Sequence, residues 1–175
     1  MQQIIIIEMQ AKICHFSSMK TNAMRILDSM NISYEVLEYD IPDDLNVDIA
    51  LHSAKVLNLP AEQVYKTIIM INSDRRYFVF CLPAGFSISM KKAREITKSD
   101  AIDLMKTDNI LSLTGYIRGG VSPIGMKRHF PTFICYLAQL EDFVYVSGGQ
   151  RGVSLKIKPA DLAKACQASF EDFIQ

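Results

Sequence analysis

A chain of 175 residues can bury one core of ordinary size and is short for two independent domains. Hydrophobic residues make up 49% and charged residues 22%, with 19 basic against 19 acidic side chains, which excludes a disordered chain and a polyanion-seeking one. Any contact with nucleic acid must therefore come from a local patch.

The apolar run Ile4-Ile5-Ile6-Ile7 is too short to cross a bilayer and has no basic segment before it, so neither a signal peptide nor a membrane anchor is expected. Residues 1–18 read as an appendage, with the core fold over 19–175, because the first capped helix starts after Thr21. That helix covers 22–30, with Met24, Leu27 and Met30 at helical spacing. A strand follows over 34–39 and a loop containing Pro42 over 40–46. Asp48 opens a second helix, 48–57, closed by Asn58 and Pro60, with His52 on its surface.

The segment 64–71 is rich in strand formers and is broken only by Lys66; the turn 72–75 joins it to a second strand, 77–82, as an antiparallel hairpin. Ser89 starts a helix through Ile96, a short strand lies near Ala101 and Ile102, and a helix over 108–113 runs into the loop 115–125. Three further strands are expected at 132–136, 143–146 and 153–157, the last two joined by the glycine-rich turn 148–152. Pro159 opens a closing helix, 160–166. Six or seven strands with hairpins among them, interleaved with four or five helices, favour an α+β fold with a mixed sheet that can curl into a barrel.

The four cysteines include no C-x-x-C pair, and Cys81 and Cys135 sit inside apolar runs, so they read as buried thiols of a reducing, cytoplasmic compartment. His15, His52 and His129 lack metal-ligand spacing, and no metal site is expected. Lys66 supports two readings. A strand lysine can snorkel to solvent; but this run is apolar on both alternating faces, and an ammonium there is costly unless it is paired or lines a polar cavity.

The loop 115–125 places four glycines, Ser122 and Pro123 between apolar segments. Such a loop either serves as a tight connector or presents bare amides to an anion or a polarised carbonyl. It nearly fits a phosphate-binding loop, but Lys127 is displaced by one residue and no Ser or Thr follows. It nearly fits a nucleophile elbow around Ser122, but the second glycine comes one residue late and no strand precedes it.

The motifs Val64-Tyr65-Lys66-Thr67, Thr114-Gly115-Tyr116, Gly119-Gly120-Val121-Ser122-Pro123-Ile124-Gly125, Lys127-Arg128 with Pro131, and Val146-Ser147-Gly148-Gly149 with Arg151-Gly152 together resemble the YbaK/EbsC family. Its members are free-standing aminoacyl-tRNA deacylases related to the editing domain of bacterial prolyl-tRNA synthetases. The resemblance runs from about residue 20 to residue 173 and implies hydrolysis of mischarged Cys-tRNA(Pro) without cofactor or metal. It implies a mixed, barrel-like sheet flanked by helices, a catalytic Lys66, an ester contact by the backbone of Gly119 and Gly120, and a pocket framed by Tyr39. Thr67, Ser122, Ser147 and Ser154 lie in or beside the matched motifs as expected substrate-binding positions. The implied mechanism is substrate-assisted, with the thiol of the bound cysteine attacking its own carbonyl.

Many relatives carry aspartate at the positions of Ser154 and Cys135, so amino-acid selectivity is open. Alanine or another small mischarged amino acid is the rival substrate, and a non-catalytic module binding tRNA or a synthetase is the rival class. The expected partners are mischarged tRNA(Pro), held by cations such as Lys91, Lys92, Lys127 and Arg128, and prolyl-tRNA synthetase. The chain is expected to act as a monomer or weak homo-oligomer, away from membranes.

Overall fold

Thr21, Asp48 and Ser89 each cap a helix, as their residue types predict. Their side chains accept from the amides of Met24, of Ala50 and Leu51, and of Lys92, opening α1 (Asn22–Ser29), α2 (Ile49–Val56) and α3 (Met90–Thr97). The computed structural model describes residues 20–41 and 47–175; the expected appendage, 1–18, lies outside the described residues, as does Cys14. α1 buries Ala23 and Leu27, with Met24 and Met30 packed partly against the core. It stops where Asn31 turns left-handed at φ 53°.

The expected hairpin is present as β2 (Tyr65–Asn72) and β3 (Tyr77–Pro83), antiparallel, with Tyr65 opposite Pro83 and Ile71 opposite Tyr77. Phe78 to Pro83 are all buried, which is why this stretch reads as continuous apolar sequence rather than an alternating one. β4 (Ile102–Leu104) pairs antiparallel with β2; β5 (Thr132–Cys135) pairs parallel with β3, and β8 (Ser169–Glu171) parallel with β5. The order of this sheet is β4-β2-β3-β5-β8.

A second, antiparallel sheet has the order β1-β7-β6, from Glu35–Glu38, Val153–Ile157 and Val144–Ser147. The α+β class and the mixed pairing hold, but the strands number eight among the described residues and form two sheets rather than one closed barrel. The two sheets touch at a parallel bridge, Val64 to Tyr145, where the Tyr145 amide donates to Gln63 O at 2.8 Å. Beyond that bridge no ladder links β6 to β2 among the described residues, although the two strands lie side by side.

The core fills the space between the sheets and helices. Phe80 and Phe173 meet edge to face at 4.9 Å, beside Met70, Leu155, Ile157 and Leu162, all fully buried. Burying one such side chain contributes about 1.5–3 kcal/mol. α4 (Ile110–Thr114) and α5 (Pro159–Cys166) complete the helices, and none among the described residues is long and apolar enough to cross a membrane.

Candidate active site

Lys66 is the second residue of β2, opposite Leu82. Its ammonium reaches past the end of β3 and donates to Ala84 O at 2.8 Å, and the side chain is 23% exposed. Asp48 Oδ2 stands 3.8 Å from the same nitrogen. Lys66 therefore does not snorkel to bulk water: it is paired and lines a cavity of about 170 Å³ at the seam of the two sheets. An ammonium carries three donors, so one bond to Ala84 leaves capacity for a guest.

The glycine loop forms the opposite wall. α4 ends at Gly115, and the buried Tyr116 hydroxyl donates to Ile124 O at 2.7 Å, tying the loop's two ends together. The Gly120 amide donates to Ile117 O at 3.0 Å, closing a turn over 117–120. That amide is spent inside the protein. Gly119, at φ +84°, lines the cavity, and its amide has no partner among the described residues. Only Gly lets the loop approach so closely, since a Cβ on Gly120 would fall 2.9 Å from the Arg151 amide nitrogen.

Tyr39, Thr67, Ser147 and Ser154 join Lys66 and Gly119 in the lining. Ser147 and Ser154 face each other across β6 and β7, and the Ser154 hydroxyl donates to Val146 O at 3.4 Å. The Thr67 hydroxyl is buried without a hydrogen-bond partner. Burial raises the Tyr39 phenol above its ordinary value, opposed by the Ser53 hydroxyl beside it. Ser122 is not in the lining: it is wholly buried, and its Oγ accepts from the Ile124 amide at 3.3 Å, a turn-forming role. Gly120 likewise stands behind Gly119 rather than in the wall.

Residues 46–165 match the sequence profile of the aminoacyl-tRNA editing domain. The chain belongs to that family. Its activity class is accordingly aminoacyl-tRNA editing, an enzymatic deacylation. Among its relatives is an Enterococcus faecalis protein carried under the provisional name Cys-tRNA(Pro)/Cys-tRNA(Cys) deacylase EbsC, 28% identical over 87% of this chain and 92% of that one. A solved structure described only as a hypothetical protein superposes with a TM-score of 0.79 at 18% identity, covering 89% of this chain and all of the other. A second, described as a candidate trans-editing enzyme for prolyl-tRNA synthetase, gives 0.73 at 16% identity over 90% of this chain and 99% of that one. Both share the fold of this editing domain.

Three residues at or beside this candidate site are not singled out for it by sequence: Ser53 and Arg118 in the lining, and Asp48 next to Lys66. Asp48 carries a readable signal as a helix cap, but nothing in its spacing links it to Lys66. The described thiols are poor nucleophiles: burial pushes Cys81 up to about 12 and raises Cys135 and Cys166 as well. Among the cations expected to meet tRNA, Lys92 is committed within the protein, 2.9 Å from both Asp172 carboxylate oxygens and from Ile174 O. Among the described residues, no group of three His, Cys, Asp or Glu side chains is placed to hold a metal ion.

Proposed function

We propose that this editing domain acts in the cytoplasm on mischarged Cys-tRNA(Pro), free or beside prolyl-tRNA synthetase. The observation that carries the reading is the meeting of one ammonium, Lys66, and Gly119, whose amide is unpaired among the described residues, at a small cavity whose described lining includes no Asp, Glu, His or Cys. Such a site can orient an ester and stabilise its carbonyl oxygen, and no described side chain of its lining is a base for a protein nucleophile or water; the nearest carboxylate, Asp48, stands outside the lining and caps α2. The reacting group then comes from the substrate.

In this mechanism Lys66 and the Gly119 amide donate to the ester carbonyl, while Tyr39, Thr67, Ser147 and Ser154 bound the amino-acid side chain. The substrate thiol attacks its own carbonyl carbon: a C–S bond forms, the bond from carbon to the ribose oxygen breaks, and the thiol proton passes to that oxygen. The products are tRNA and a four-membered thiolactone, which water opens to free cysteine. Each preorganised donor of this kind is worth about 10²–10³ in rate.

A cavity selecting by size alone favours a second reading, deacylation of alanine or another small amino acid. A module that only binds tRNA needs neither a lysine held by an interior carbonyl nor a bare amide in a cavity. Deacylation of labelled Cys-tRNA(Pro), Ala-tRNA(Pro) and Ser-tRNA(Pro) separates these. Fast release of cysteine and slow release of serine is expected; equal rates for the two overturn the thiol route, and no turnover on any of the three overturns the deacylase reading.

A further inference from the structure

We infer that Asp48 is the acceptor for the α-ammonium of the bound aminoacyl ester, and so selects substrates with a free amino group. The inference rests on the deacylase reading above and adds a recognition element to it. The α-amino group of an aminoacyl ester is partly protonated near neutral pH, so a substantial share of the substrate reaches the site as a cation. Among the described residues the lining of the cavity carries two cations, Lys66 and Arg118, and no carboxylate. Without a counter-charge at its rim, this cavity would repel the substrate it is shaped to hold.

Asp48 supplies that charge. It directly precedes Ile49 and Ala50, which line the cavity, and its Oδ2 lies 3.8 Å from Lys66 Nζ. Its Oδ1 is occupied, accepting from the amides of Ala50 at 3.0 Å and Leu51 at 3.2 Å, which fixes the carboxylate with the other oxygen toward Lys66. At 3.8 Å the pair is longer than a hydrogen bond, so Oδ2 keeps acceptor capacity for a guest N–H. Glu38 and Asp40 do not compete, since they line a separate cavity on the far side of Tyr39.

The geometry assigns the two charges complementary tasks: the Lys66 ammonium faces the carbonyl oxygen and the Asp48 carboxylate faces the amine one bond further along. The test is Asp48→Asn, because asparagine caps a helix as well as aspartate does and leaves α2 in place while removing the charge. Rates are compared on Cys-tRNA(Pro) and on 3-mercaptopropionyl-tRNA(Pro), which keeps ester and thiol but lacks the amine. The variant is expected to raise KM for Cys-tRNA(Pro) by about tenfold to a hundredfold more than it raises KM for the amine-free substrate, the range of a hydrogen bond to a charged group. Equal losses on both substrates, or no loss on either, overturn the role of Asp48. Wild-type turnover of Cys-tRNA(Pro) is read separately, and its absence overturns the deacylase reading instead.

Discussion

Gly120 and Arg151 meet backbone to backbone: a Cβ placed on Gly120 lies 2.9 Å from the Arg151 amide nitrogen and 3.0 Å from the carbonyl carbon of Gln150. Neither neighbour is the end of a flexible side chain, so the loop and the 148–152 turn must separate to admit even a methyl group. Gly120→Ala is expected to destabilise the fold by about 1–3 kcal/mol and to depress deacylation by displacing Gly119. Thermal unfolding and turnover measured on the same preparation check this, and a variant unchanged in both contradicts it.

Lys66→Ala is expected to lower turnover about 10²–10³-fold while leaving the unfolding transition in place, because the residue sits at a cavity wall rather than in the core. Lys66→Arg should restore little, since a planar guanidinium cannot reach Ala84 O and a guest carbonyl from one point as an ammonium does. Single-turnover kinetics on Cys-tRNA(Pro) decide it; a fully active alanine variant removes Lys66 from the mechanism.

Ser154 is 4% exposed, faces Ser147 across the β6–β7 ladder, and contributes a neutral hydroxyl where a carboxylate would change the charge of the wall. Ser154→Asp should shift the ratio of cysteine to alanine release, because a carboxylate pairs and repels charge as a hydroxyl cannot. A ratio equal to wild type, in a variant that folds, would take residue 154 out of amino-acid selection.

Alkaline pH should unfold the protein through its buried acids. Burial raises the Cys81 thiol from its ordinary 9.0 to about 12, and the Tyr116 phenol from 10.0 to about 12. Below pH 9 folded and unfolded chains both keep these protons and the stabilisation is complete. Between 9 and 12 the unfolded chain releases the Cys81 proton and the folded one does not, so stability falls as pH rises. The slope approaches about 1.4 kcal/mol per pH unit for each such group. Urea unfolding across that range should show the decline, and Cys81→Ala should flatten it; an unchanged slope would assign the loss to other groups.

The β2–β3 hairpin was legible to within a residue because two runs of strand formers, broken only at Lys66 and joined by Asn72-Ser73-Asp74-Arg75, have few other folds, and the helices were legible from Thr21, Asp48 and Ser89 as caps. β8 was not: three residues that pair in parallel with β5 leave no local pattern. The split into two sheets was hidden for the same reason, since it depends on the β6–β2 pairing going no further than the Val64–Tyr145 bridge. At the site, Lys66 was conspicuous as a charge in an apolar strand. Ser122 was misleading, because a serine in a glycine loop looks the same whether it faces a guest or closes its own turn on Ile124. Which of two adjacent glycine amides is free was likewise unreadable, as it depends on the turn that spends Gly120 on Ile117.

The cavity draws Lys66 and Thr67 from one sheet, Ser147 and Ser154 from the other, and Gly119 from a loop attached to neither. No single sheet or loop holds the whole candidate site. A folding intermediate with the β2–β3 hairpin formed and the β1-β7-β6 sheet still open would have much of its core, yet would release no amino acid from tRNA. Catalysis is thus a stricter gauge of assembly than any spectroscopic signal from one element: during refolding, activity should return with the slowest phase and never ahead of it.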